Sequence, residues 1–195
     1  MKQIEHNSAQ TRGTTRSVLR KTVVMVGMMG AGKTAVGKAL AQKLAVPFLD
    51  SDAEIEAAAN MSIPEIFSRD GEAFFREKES MVIARLLDGS PCVLSTGGGA
   101  FLAPANRQMI SERGVSVWLK ADLSVLWSRV RHKDTRPLLR TPDPRATLRA
   151  LHDARVPIYA EADLTVVSDA VTSIEQMADR VIEALQSRPD VLELT

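Results

Sequence analysis

The stretch Gly27-Met-Met-Gly-Ala-Gly-Lys-Thr34 satisfies G-x-x-x-x-G-K-[ST] at every fixed position. Its glycines let backbone N–H groups turn inward on an anion. Lys33 carries charge to the β- and γ-phosphates of a nucleotide, and the Thr34 hydroxyl can ligate Mg²⁺. A helix that opens as the loop ends points its positive N-terminal dipole at the same phosphates. Asp50 and Asp52 close the next apolar run, Phe48-Leu49. Beside a phosphate loop Asp50 is a partner for Mg²⁺, which takes few protein ligands and many waters. Asp52 can cap the following helix. Held at a site rim, it can also accept a hydrogen bond from a substrate hydroxyl and draw off its proton. The run Gly97-Gly-Gly99 carries an entropic cost that suits a close approach to the backbone. Arg76, after Phe74-Phe75, can fix a small carboxylate bidentately. Arg136 opens Arg136-Pro-Leu-Leu139 in a basic stretch, where a mobile cation can close over a γ-phosphate and exclude water. Arg155 lies just beyond that stretch, in Arg155-Val-Pro-Ile-Tyr159.

These residues need elements to hold them, and the apolar pattern supplies them. Thr22–Val26, Phe48–Asp50, Val93–Ser95, Val115–Leu119 and Leu164–Val167 are short apolar runs that read as strands. Between them lie helical stretches. Val36, Leu40 and Leu44 recur at i, i+4, i+8 along the first, and Pro47 ends it. Asp52 is expected to cap a helix through Ala59. A short segment, Ile63–Arg69, leads through Gly71 to a helix from Glu72 to about Leu87, and another runs from Pro104 to Gly114. Asp122 caps a helix whose apolar face is Leu123, Leu126, Trp127 and Val130. A further helix covers about Arg145 to Arg155. The last opens on the capping box Thr172-x-x-Glu175 and buries Ile174, Met177, Val181, Ile182 and Leu185. Residues 131–144, rich in proline, Arg and Lys, read as a mobile surface loop. Strands alternating with helices imply an α/β fold with a five-stranded parallel sheet covered on both faces by right-handed crossovers. In such sheets ligands sit beyond the carboxyl ends of the strands. This puts the phosphate loop, Asp50, Asp52 and Gly97–Gly99 on one rim.

The 195 residues suffice for one well-buried domain, with hydrophobic residues at 45% and charged ones at 25%. The lone cysteine, Cys92, leaves neither a disulfide framework nor a zinc site to be expected, which fits a reduced, cytoplasmic setting. Net charge is +1, but the first 21 residues carry +4, leaving −3 for the rest. That body is no polyanion binder. The opening residues have charge without the apolar core of a secretory signal, and no stretch is long enough to span a membrane. We therefore expect a polar tail over 1–20, one domain over 21–187 with a lid at about 131–144, a C-terminal tail over 188–195, and a monomer with no nucleic-acid or membrane partner.

Taken together, Gly30-Ala-Gly-Lys-Thr34, Phe48-Leu-Asp-Ser-Asp52, Ile63-x-Glu-Ile-Phe67 with Gly71-Glu72 and Phe75-Arg76, Gly97-Gly-Gly99, Arg136-Pro-Leu-Leu139 and Arg155-x-Pro-x-Tyr159 resemble shikimate kinase. The likeness runs in order over about Thr22 to Leu185. It implies a nucleoside-monophosphate-kinase-like P-loop fold and ATP-dependent phosphorylation of the 3-hydroxyl of shikimate, in chorismate and aromatic amino acid synthesis. By that resemblance Gly30, Ala31, Gly32, Lys33, Thr34, Ala35, Arg129 and Arg136 would hold ATP, with Arg129 against the adenine. Thr34 and Asp50 would hold magnesium. Asp52, Arg76, Gly98 and Arg155 would hold shikimate, and Lys33, Asp52 and Arg136 would serve catalysis. After Val167 no proline is present to pack on the adenine. Two rivals stand beside this reading. A related small P-loop kinase such as a gluconate kinase would have another acceptor pocket, and a nucleotide-binding regulatory module would not need a second, acid-reading set of arginines.

Overall fold

A computed structural model describes residues 17–132 and 137–194. In chain order its elements are β1 (Ser17–Leu19), β2 (Thr22–Val26), α1 (Lys33–Leu44), β3 (Phe48–Asp50), α2 (Ser51–Ala59), α3 (Ile63–Leu87), β4 (Val93–Ser95), α4 (Pro104–Arg113), β5 (Gly114–Lys120), α5 (Leu123–Val130), α6 (Pro144–Tyr159), β6 (Leu164–Val167), α7 (Ile174–Leu185) and β7 (Leu192–Leu194). Five of the strands form a parallel sheet in the order β3-β4-β2-β5-β6. All five residues of β2 are buried, as expected of a central strand covered on both faces. Val23 pairs with Val93 on one side and Val115 on the other. Helix α1 packs on β2, β3, β4 and α7, and α4 packs on β5 and α3.

The sheet matches the expected strands, and the departures are local. Helix α2 is capped by Asp50, not Asp52: Asp50 Oδ1 accepts from the amides of Asp52 (3.0 Å) and Ala53 (3.2 Å). The stretch from Ile63 to Leu87 is continuous except at Gly71, where φ 85° and ψ 173° kink it. Helix α6 runs past Arg155 to Tyr159 with Pro157 inside it. The last helix takes its capping box one residue later than expected, from Ser173 and Gln176, because the Thr172 amide donates instead to Asp169 Oδ1 at 2.7 Å. Ile174 is consequently half exposed rather than buried. Asp122 stands at the N-cap of α5 but makes no side-chain cap bond.

The expected chain ends also change. Ser17–Leu19 is no part of a loose tail: it pairs antiparallel with Leu192–Leu194, a segment expected to be a C-terminal tail. Leu19, Val191 and Leu192 are buried, and Arg20 pairs with Glu193 and Lys21 with Asp190 (3.0 Å) across the join. Apolar burial at both termini supplies a driving force that neither short segment carries alone.

Candidate active site

The carboxyl ends of β2, β3, β4 and β6 open into one cleft of about 530 Å³, whose lining includes Gly30 to Val36, Asp50, Asp52, Ser95 to Gly98, Arg129 and Ser168. The phosphate loop forms one wall. Gly27, Gly30 and Gly32 all have positive φ (138°, 81° and 98°), a region open to glycine and strained for other residues. The first turn of α1 begins at Lys33, and Lys33 Nζ donates to the carbonyls of Gly27 (2.8 Å) and Met28 (3.0 Å), which sets the ammonium across the mouth of the loop. Thr34 and Ala35 line the cleft beside it.

Beside the loop, after the adjacent strand β4, Gly97, Gly98 and Gly99 each face a different side chain. A Cβ on Gly97 would stand 3.0 Å from Asp52 Oδ1, one on Gly98 3.3 Å from Arg155 Nη1, and one on Gly99 2.5 Å from Arg76 Nη2. None of the three has a positive φ. The glycines are therefore required by space: their bare backbone lets one carboxylate and two guanidinium groups, drawn from α2, α3 and α6, converge at the end of β4. Arg76 and Arg155 are not among the residues that line this cleft; they adjoin it through Gly99 and Gly98.

Each of the converging groups is held from behind. Asp50 takes the cap of α2 through one carboxylate oxygen, which leaves the Asp52 side chain to turn toward Gly97. Burial, with Asp50 and Glu79 close by, pushes the Asp52 carboxyl up to about 6 against the pull of Lys33. Arg76 Nη1 donates to Glu79 Oε2 at 2.8 Å, Arg76 Nε lies 3.6 Å from Glu72, and the guanidinium sits 5.2 Å from the Phe75 ring centroid. Glu79 is buried, its carboxyl is raised by that burial although Arg76 pulls it down, and its Oε1 has no hydrogen-bond partner among the described residues. Tyr159, fully buried, donates to the Gly98 carbonyl at 2.6 Å and lies against Trp118 and Phe101. Burial raises its phenol, and the neighbouring Arg155 lowers it.

Glu79 has no part in the sequence motifs, and Tyr159 enters them only as the last residue of Arg155-x-Pro-x-Tyr159, with no role of its own. Their signals were faint but present: Glu79 is i+3 from Arg76 and Tyr159 i+4 from Arg155, spacings that share a helix face. Beyond Val167, where no proline directly follows, Ser168, Thr172, Ile174 and Met177 complete the cleft together with Arg129. Arg136 lies outside the described residues. Among the described residues no group of three or more His, Cys, Asp or Glu side chains is placed to hold a metal, and no helix is long and apolar enough to cross a membrane.

Chemically, a loop lysine and a helix N-terminus at one wall can neutralise a polyphosphate, and a raised carboxylate flanked by two arginines at the other can orient a hydroxylated acid. The family model for shikimate kinase matches residues 29–186. The chain is similar to the shikimate kinase of Ruegeria pomeroyi, at 79% identity over the whole of both chains, and to that of Cereibacter sphaeroides, at 76% over 90% of this chain and 87% of the relative. Among solved structures it resembles a shikimate kinase from Acinetobacter baumannii in complex with shikimate, with TM-score 0.79 and 36% identity over 86% of this chain and 93% of that one.

Proposed function

The chain belongs to the shikimate kinase family and phosphorylates shikimate with ATP, and from that premise we propose how its own residues divide the work. Gly30 to Ala35 cradle the nucleotide phosphates with backbone N–H groups, and the N-terminus of α1 adds its dipole. Lys33, now bonded to carbonyls of its own loop, swings its charge to the β- and γ-phosphates, and Arg129 borders the adenine. Asp52 accepts the proton of the 3-hydroxyl as that oxygen attacks the γ-phosphorus; the bond from γ-phosphorus to the bridging oxygen breaks, and the electron pair leaves with ADP. Arg76 and Arg155 hold the acceptor's carboxylate from two sides, with Gly98 giving backbone room between them. Catalysis is then mostly placement and charge, because phosphoryl transfer asks little covalent chemistry of the protein.

Thr34 and Asp50 are suited to Mg²⁺. Both line the cleft, Asp50 has a second oxygen beyond the one that caps α2, and the sparse donor set fits an ion that keeps most of its waters and takes phosphate oxygens. When bound, Mg²⁺ neutralises charge on the transferring phosphate. Arg136 is proposed to serve the same phosphate on the strength of the Arg136-Pro-Leu-Leu139 motif alone. The single buried cysteine supports a reduced, cytoplasmic setting, in which the enzyme works as a monomer without nucleic acid or membrane.

The observation that carries these assignments is the convergence of Asp52, Arg155 and Arg76 on three consecutive glycines beside the phosphate loop. A neutral-polyol kinase would have no use for two arginines there, and a regulatory module none for the raised carboxylate. ATP consumption measured with and without shikimate, and with an analogue carrying a carboxamide in place of the carboxylate, tests the reading. Turnover should need shikimate, and the carboxamide should bind poorly. A carboxamide bound as tightly as shikimate would remove the arginine clamp.

A further inference from the structure

A phosphate loop that turns N–H groups toward its ligand must turn carbonyls away, and each outward carbonyl needs a donor. In this loop the donors for Gly30 and Ala31 come from elsewhere in the chain. Arg129, on the last turn of α5, extends Nη1 to Gly30 O (3.2 Å), Ala31 O (3.4 Å) and Ser168 Oγ (3.2 Å), while Nη2 donates to Asp169 O (2.7 Å). Ser168 is itself 3% exposed, and its Oγ lies 3.4 Å from Ala31 O. One hydroxyl can satisfy both contacts, accepting from Arg129 and donating to Ala31. Its amide is tied to Lys120 O at 2.7 Å, so the serine is anchored at the end of the β5–β6 pair. The same turn of α5 packs on the loop from behind: a Cβ on Gly30 would come within 2.7 Å of Val130 Cγ1.

We infer that Ser168 is a positioning residue for phosphoryl transfer, acting with Arg129 to hold the Gly30 and Ala31 carbonyls against themselves and so keep the loop's N–H face set for the β- and γ-phosphates. This rests on the phosphate-site reading above. It gives Arg129 a second task besides bordering the adenine, and it makes the turn after β6 a support for the loop rather than only a wall of the base pocket. A carbonyl that rotated inward would oppose an anionic phosphate, so the restraint acts on phosphate affinity and not on the base.

The two tasks separate by nucleotide. A residue that serves the base affects ATP and AMP alike, whereas one that shapes the loop affects ATP, which reaches its inner N–H groups, more than AMP. Binding of ATP and of AMP to Ser168→Ala, measured by titration calorimetry with Mg²⁺ present, should show ATP weakened about three- to tenfold, the range of the one neutral hydrogen bond to Ala31, and AMP changed less than twofold. Arg129→Lys should weaken both, ATP the more. Equal losses for the two nucleotides in Ser168→Ala, or no loss for ATP, would overturn the positioning role. If Ser168→Ala does not fold, Ser168→Cys, of similar volume and weak hydrogen bonding, takes its place with the same two readings. Lys33→Ala is the separate control: wild-type ATP binding and turnover in that variant would strike the phosphate-site reading itself, whatever the serine does.

Discussion

Two glycine-rich segments follow neighbouring strands of the sheet and use glycine for opposite reasons. After β2, the loop glycines at 27, 30 and 32 all adopt positive φ, so the backbone itself takes a shape that side chains would strain. After β4, Gly97 to Gly99 have ordinary φ, and what a side chain would spoil is the space occupied by Asp52, Arg155 and Arg76. In the first site the ligand-facing groups are contiguous backbone and one lysine, while Arg129 and Ser168 brace its carbonyls from other segments. The second is an assembly, each group brought by a different helix and braced by a partner such as Glu79 or Tyr159. A contiguous site is sensitive to local conformation, and an assembled one to anything that shifts a distant helix.

The sharpest break on the phosphate side is Lys33→Ala. Turnover should fall by roughly 100- to 1000-fold or more, the scale of losing one charge-stabilising donor, with the fold retained and the thermal midpoint only modestly lowered, because the ammonium is bonded to two loop carbonyls and not packed in the core. Near-normal kcat in that variant would dissolve the distinction between the two walls.

On the acceptor side the next largest effect is carried by pH. The folded carboxyl of Asp52 titrates at about 6 against an ordinary 3.8, so the folded chain binds this proton more tightly than the unfolded one. Stability from this group is therefore present below about pH 4, is lost as pH rises toward 6, and stays lost above it, an upper bound of about 3 kcal/mol. Asp52→Asn should accordingly raise the denaturation midpoint more at pH 8 than at pH 5 while removing most activity. In the wild type, kcat/KM for shikimate should drop about tenfold per unit below pH 6, since the base must be ionised. A stability gain that is equal at both pH values would show that burial does not govern this carboxylate.

Arg76→Lys and Arg155→Ala should each weaken shikimate binding by roughly ten- to a hundredfold and leave ATP affinity alone, from ~1.5–3 kcal/mol for a charge-assisted contact. Lysine fails at position 76 because an ammonium cannot reproduce the planar fork that Glu79 now holds. Loss of ATP affinity in either variant would mean the two walls are not separate.

The smallest effects come from exchanging the glycines themselves, and they state the comparison most directly. Gly30→Ala meets both a φ of 81° and Val130, and should cost about 1–3 kcal/mol of stability. Gly99→Ala has no φ to violate; it should instead displace the Arg76 guanidinium, raising KM for shikimate several-fold with stability changed by less than about 1 kcal/mol. Denaturant melts and shikimate kinetics on the pair separate the two, and the reverse pattern would sink the distinction.

What the sequence determined by itself is whatever is contiguous or periodic. The five apolar runs became the five strands of the parallel sheet, because buried parallel strands must be apolar on both faces. The phosphate loop could be read residue by residue, because its function lies in consecutive backbone groups. Tertiary structure alone decided which residues back these up. Tyr159 reaches the Gly98 carbonyl across 61 positions, Ser168 reaches Ala31 across 137, and Arg20 meets Glu193 across 173. It also decided that Asp50 caps α2 while Asp52 faces the cleft, a choice between two carboxylates that spacing leaves equal. The reason is physical: propensity and periodicity act over a turn or a strand, whereas a hydrogen bond between distant segments exists only once the core has brought their backbones within about 3 Å of each other's side chains.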